Sequence, residues 1–182
     1  MGNQRDALLD QTLVDVAANG LGDRSLREIA AAVGSSHRMI LYHFGSRPGL
    51  VRAIVESVEA GQRRLLADAA AAAPTASSAD LIRATWGRVS DPAVRPFVRL
   101  FFELVGHPGT DRLDLTGTWL EEARSVVEGR GQAFDPAGVR VGIAVTRGLL
   151  IDVVTGGDPD EATAALERFL ELLPPDRPAA GG

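Results

Sequence analysis

From Ser25 to Leu50 the chain reads SLREIAAAVGSSHRMILYHFGSRPGL, and this stretch leaves little freedom in local structure. Ser25 and Glu28 form an S-x-x-E capping box: the Ser25 hydroxyl accepts from the backbone N–H three residues on, and the Glu28 carboxylate accepts from the N–H of Ser25. Leu26, Ile29, Ala30 and Val33 then recur at helical spacing as one apolar stripe. Gly34 supplies a left-handed stop. Ser35 or Ser36 starts a second helix, in which Ile40 and Phe44, four apart, face the core while His37, Arg38, Leu41 and Tyr42 point elsewhere. Gly45 breaks that helix, and Ser46 caps the next, with Pro48 tolerated in its first turn. Two short helices, a tight turn and the start of a third, longer helix make the plan of a helix-turn-helix unit, which carries its second helix into the DNA major groove.

Charge sharpens the reading. The 182 residues carry a net charge of −5, which at first sight suits nucleic acid poorly. Between Arg24 and Arg52, however, five arginines (Arg24, Arg27, Arg38, Arg47, Arg52) face a single acid, Glu28, so the segment is locally +4. A small basic face on an acidic body fits a protein that touches DNA along one edge; the alternative for charge alone is a chance cluster on a solvated face. All basic residues other than histidine are arginine, and there is no cysteine, which excludes disulfides and thiolate metal sites.

The same residues resemble the signature of TetR-type transcriptional regulators, in outline I-A-x-x-x-G-V-S-x-x-x-L-Y-x-H-F-x-S-K-x-x-L. Ile29-Ala30, Gly34, Ser36, Ile40, His43-Phe44, Ser46 and Leu50 stand at its positions. Three departures matter: Leu41 replaces a phosphate-contacting tyrosine, Arg47 replaces lysine, and Met39 stands where a small residue is usual. Leu41 loses a hydroxyl donor, while Arg47 keeps the charge and can hold a phosphate as a fork. The resemblance implies that His37, Arg38, Met39 and Tyr42 reach bases or adjacent sugars, that Arg27 reaches a base or phosphate, and that Ser25, Ser36, His43 and Arg47 contact the backbone. Arg38 matches the O6 and N7 acceptors of guanine, with a phosphate contact as its alternative. The serines can cap helices as well as bind DNA, His43 can serve as an interhelix hydrogen-bonding group, and Tyr42 can pack on Arg38.

The rest of the chain reads as helices throughout. Residues 4–20 form the first, with Leu8, Leu9, Leu13 and Val16 on its apolar side. A long helix covers about 47–72, followed by a Pro74–Ser78 loop in which Ser78 caps a helix over 79–89. Further helices are expected from Asp91-Pro92 to about Val105, and over 113–128, 137–155 and 159–173. The 137–155 segment is apolar nearly all round and so must be buried on every side, in part by a second copy of the chain. The expected fold is all-α: an N-terminal helix-turn-helix three-helix unit (1–46), a C-terminal helical ligand-binding and dimerisation bundle (47–174), and a Pro/Gly-rich disordered tail (175–182).

Family resemblance implies a small-molecule site within the C-terminal helices. Trp86, Phe97, Phe101, Phe102, Trp119 and Arg147 are candidates to line it, although aromatics at helical spacing also serve as plain core. Their character suits an apolar or aromatic ligand. The segment GLLIDVVTGGDPDEATAAL (148–166) resembles the dimerisation region of some TetR-type regulators, which implies an interface at Val145, Leu149, Val153, Ala162, Leu166 and Phe169. The expected partners are duplex DNA with a pseudo-palindromic operator, a second copy of the chain and a small-molecule effector. No cofactor, metal or catalytic group is expected: three scattered histidines, no H-E-x-x-H, no G-x-S-x-G and no phosphate loop argue against an enzyme. With no signal segment and no apolar run of the ~18–20 residues needed to span a bilayer, the expected location is the cytoplasm, away from membranes. The competing reading is a helical adaptor of the same fold that has lost specific DNA binding.

Overall fold

The computed structural model describes residues 4–111 and 113–178. Among these the regular elements are helices: α1 (Gln4–Asn19), α2 (Leu26–Ala32), α3 (His37–Phe44), α4 (Arg47–Ala72), α5 (Ser78–Val89), α6 (Arg95–Leu104), α7 (Gly117–Glu128), α8 (Pro136–Thr155) and α9 (Pro159–Leu170). The all-α reading therefore holds. No helix among the described residues is long and apolar enough to cross a membrane.

By its internal contacts the chain divides into two units, one comprising the residues up to Glu59 with Pro96–Leu113, the other Ala60–Arg95 with Asp114 onward. The division falls inside α4, and nearly all of α6 goes with the helix-turn-helix. In the first unit, Leu8, Leu9 and Val16 of α1, Leu26 and Ile29 of α2, and Ile40 and Phe44 of α3 are buried together with Leu50, Ile54 and Val58 of α4. Val98, Leu100, Phe101 and Leu104 of α6 are buried in this unit too. In the second unit α8 packs against α7 and α9, and Leu81, Trp86, Leu150, Val153, Val154, Ala162, Leu166 and Leu170 are buried.

Caps fix most helix starts. The Ser25 Oγ accepts from the Glu28 N–H at 3.3 Å and Glu28 Oε2 accepts from the Ser25 N–H at 2.7 Å. Ser25→Ala is expected to cost about 1 kcal/mol of stability, read by urea unfolding; an unchanged midpoint would remove the box from the account. The Ser25 N–H, then its hydroxyl, hold the Glu28 carboxyl below the ordinary carboxylate range. The contribution is thus complete above the ordinary glutamate pKa and is lost as acid takes the pH down through the lowered value.

Several boundaries differ from expectation. Ser77, not Ser78, caps α5, because Asp80 completes a second capping box with it. Asp91 forms a turn, its carboxylate accepting from the Ala93 N–H, so α6 begins only at Arg95. Asp114 accepts from the Gly117 N–H and delays α7 to that residue. Helix α8 is not buried all round: Val141 is 54% and Ile151 45% exposed. Residues 175–178, assigned above to a disordered tail, are instead held by hydrogen bonds through Asp176 and Arg177; positions 179–182 of that tail lie outside the described residues.

Candidate nucleic-acid interface

The turn between α2 and α3 is set by two backbone bonds and one glycine. Gly34 adopts φ +65°; its N–H donates to the Ala31 carbonyl at 3.2 Å and the Ser35 N–H donates to Ala30 at 2.8 Å. This Schellman arrangement satisfies the last carbonyls of α2 while reversing the chain. Ser36 then caps α3 by accepting from the Met39 N–H at 3.2 Å. Helix α3 sinks Ile40 and Phe44 completely or nearly so, at 0% and 8% exposure, and this fixes its rotation about its own axis.

That rotation turns the remaining residues outward. Tyr42 is 78% exposed and Leu41 38%; Arg38 is exposed, and His37 and Met39 are half-buried on the flanks. Arg27 is exposed on α2, as are Ser25 and Ser36 at the two helix starts. The fold thus brings Ser25, Arg27, Ser36, His37, Arg38, Met39 and Tyr42 onto two neighbouring helices and their N-termini. An apolar Tyr42 ring held out in water stacks edge-on against His43 at 4.9 Å between centroids. A flat amphipathic ring held out in this way is suited to the sugar and phosphate edge of a groove.

Two candidates are placed differently. His43 is half-buried and its Nε2 is enclosed, with no hydrogen bond among the described residues. Arg47 folds back across the α1–α2 turn, where its guanidinium donates to the Gly22 and Arg24 carbonyls. Those carbonyls follow α1 and have no helical partner, so the arginine replaces missing backbone bonds. Arg24 is likewise engaged, pairing with Asp15 at 2.8 Å. Arg47→Ala is expected to destabilise the unit by roughly 1–3 kcal/mol and leave the salt dependence of DNA binding almost unchanged; a fall of about one in the salt slope would instead make it a phosphate contact. Nothing local in the chain signals these bonds, because the two carbonyls lie 23 and 25 residues away.

In the second unit a cavity of about 500 Å³ lies among α4, α5, α7, α8 and the C-terminal segment. Trp86, Trp119 and Arg147 line it, as do Phe134, Ile143 and Phe169. Phe97, Phe101 and Phe102 belong to the other unit, where Phe101 is core. Trp86 donates through Nε1 to the Thr163 hydroxyl at 3.0 Å, and Arg147 donates to the Leu115 carbonyl at 3.1 Å. The walls are mostly apolar, and both carboxylates among them are engaged: Asp135 caps α8 and Asp176 accepts two hydrogen bonds. Of the six candidate interface residues, Val153, Ala162 and Leu166 are buried inside the chain, and Phe169 lines the cavity. Val145 and Leu149 are half-buried. The exposed stripe of α8 is Val141, Ala144, Gly148 and Ile151.

No family model matches the sequence, and no curated relative does. Solved structures do match over nearly the whole length. A TetR-family transcriptional regulator from Pectobacterium atrosepticum superposes with a TM-score of 0.70 at 20% identity, over 92% of this chain and 90% of that one. The chain has the TetR fold. The TetR-like regulator LfrR from Mycobacterium smegmatis, solved with proflavine, matches with a TM-score of 0.62 at 18% identity, over 93% and 98% of the two chains. The multidrug binding protein EbrR, solved with imidazole, matches at 0.68 and 23% identity, over 94% and 91%. The capped α2–turn–α3 unit thus belongs to a chain of which 92–94% superposes on these structures.

Proposed function

We propose that the chain is a sequence-specific DNA-binding transcriptional regulator, a repressor that a small apolar or aromatic ligand releases from its operator. The observation that carries this reading is the orientation of α3: Ile40 and Phe44 anchor one side, and Arg38, Leu41 and Tyr42 stand out on the other. A rigid helix with a guanidinium and a phenol on its free face is what major-groove readout requires. DNA binding is assigned to residues 1–46, and regulation and dimerisation to 47–174. Such a regulator works beside the chromosome, which places it in the cytoplasm, and needs neither a catalytic group nor a cofactor. Fluorescence anisotropy of the protein on duplexes from its own upstream region, over a salt series, tests this. Tight binding that weakens steeply with salt is expected; weak binding that is equal on every duplex would favour the adaptor reading, for which Leu41, lacking a phenolic hydroxyl, and the net charge of −5 speak.

The ligand reading rests on the cavity of about 500 Å³, within the usual size range of small-molecule sites, roughly 300–1,000 Å³. Its aromatic walls, with both lining carboxylates already engaged within the chain, suit an uncharged, flat molecule.

The dimer reading rests on α8. Val141, Ala144, Gly148 and Ile151 fall on one face at helical spacing, and all four are exposed. A second copy packed there would cover the apolar side left open, and small Ala144 and Gly148 would allow close approach. The unmodified protein is expected to sediment as a dimer at micromolar concentration, and Val141→Glu with Ile151→Glu to yield a monomer there. An unchanged dimer in the double variant would move the interface elsewhere.

A further inference from the structure

The wall of the cavity formed by the C-terminal segment differs from the rest. Leu173, Pro174, Pro175, Asp176 and Arg177 all line the cavity, yet residues 174–177 are also exposed to solvent. Here the wall is a single chain thick. The segment follows the end of α9 and is not helical. The Leu173 N–H still donates to the Leu170 carbonyl at 3.2 Å, but Pro174 and Pro175 lack N–H groups and cannot continue that local bonding. The segment is tied down from outside instead. Asp176 Oδ2 accepts from the Ser78 N–H at 2.8 Å and from Gln132 Nε2 at 3.1 Å, and the Arg177 carbonyl accepts from the Ala133 N–H at 2.8 Å. Gln132 and Pro178 stand opposite each other as an antiparallel bridge pair.

We propose that residues 173–177 form a strap across the mouth of the cavity, and that release of its Asp176 and Arg177 ties sets how fast a ligand enters and leaves. The inference rests on the cavity being the ligand site. The ties are few, exposed and confined to two points, the start of α5 and the turn before α8, so the strap can lift while the helices stay packed. Stiff prolines favour movement of the segment as one piece about the 171–173 turn. The strap alters both entry and exit, so its release changes rates more than affinity.

The test uses Nile red, an uncharged flat dye that brightens in apolar surroundings, mixed with full-length protein in stopped flow. Asp176→Ala removes two ties and is expected to speed association about tenfold. A lock runs the other way. Directly opposed antiparallel residues have Cα atoms about 4.5–5.5 Å apart, a span a disulfide accepts, and the chain has no cysteine of its own. Oxidised Gln132→Cys/Pro178→Cys is therefore expected to bind at least about tenfold more slowly than the same protein reduced. Gly142→Phe places a ring in the cavity from α8, where a side chain meets open space, and should abolish binding. Equal rates in the oxidised, reduced and Asp176→Ala proteins, with Gly142→Phe still blocking the dye, would overturn the strap and leave the ligand site standing. Dye binding that is absent in every protein, or indifferent to Gly142→Phe, would overturn both.

Discussion

Arg38→Ala should sharply lower the preference of the protein for its operator while leaving its weak affinity for unrelated duplexes nearly intact. Arg38 is exposed on the second turn-flanked helix, one residue after the α3 start and on the side opposite Ile40. A guanidinium there can donate two parallel hydrogen bonds to guanine O6 and N7, a contact that contributes about 1–3 kcal/mol of discrimination, or roughly 5- to 150-fold. The fold should survive, since the side chain is not part of the core. Arg27→Ala is the useful contrast. If Arg27 touches phosphate, its loss weakens binding to all duplexes alike and lowers the salt slope by about one. A uniform loss with Arg38→Ala, of the kind expected for Arg27→Ala, would reassign Arg38 to the backbone and shift base reading to His37, Met39 or Tyr42.

Gly49→Ala should cripple the helix-turn-helix unit through structure alone. Gly49 sits in the first turn of α4, and a β-carbon there would overlap the Phe44 carbonyl oxygen and lie 3.2 Å from the carbonyl carbon. Both atoms are backbone, so no rotamer change relieves the clash. The end of α3 and the start of α4 would have to separate, and with them Phe44 and Leu50, which are buried together with Ile40 in the core. Overpacking of this kind costs typically 1–3 kcal/mol, and more where backbone must move; roughly 3 kcal/mol or above is expected here, read by urea unfolding and by loss of operator binding. Gly61→Ala in the same helix is the control. Its new methyl would meet only the tip of Arg64, at 3.8 Å, and helix propensity should make it neutral or stabilising by up to about 1 kcal/mol. If Gly49→Ala matched Gly61→Ala in stability, the close approach of α3 and α4 would not be the constraint that sets α3.

The contrast between these sites shows what could be read from the chain. The helix-turn-helix was legible because its determinants are local. Ser25 and Glu28 cap within one turn, Gly34 and Ser36 lie beside the bonds they make, and Ile40 and Phe44 report the buried side of α3 by spacing alone. Spacing says that a residue is apolar-facing, not what it faces. Phe97, Phe101 and Phe102 looked like cavity walls, but α6 belongs with the first unit and Phe101 is core there. Val153, Ala162 and Leu166 looked like a surface for a second copy, yet they are buried within the chain; the exposed stripe of α8 lies at Val141 and Ile151. The internal bonds of Arg47 were not legible, because its carbonyl partners lie 23 and 25 residues back along the chain. The C-terminal prolines gave the composition of disorder, and what fixes them is a backbone N–H at Ser78, 98 positions before Asp176.

A selection of genomic duplex fragments by the purified protein bears on the central claim most directly. Enrichment of a pseudo-palindrome whose half-sites lie about one helical turn apart, ~34–36 Å, and whose recovery fails with Arg38→Ala, is the result expected of a dimeric DNA reader. Recovery of fragments in proportion to their abundance, with no shared motif and no effect of Arg38→Ala, would contradict sequence reading by α3 and leave a helical protein of the TetR fold that works through another partner.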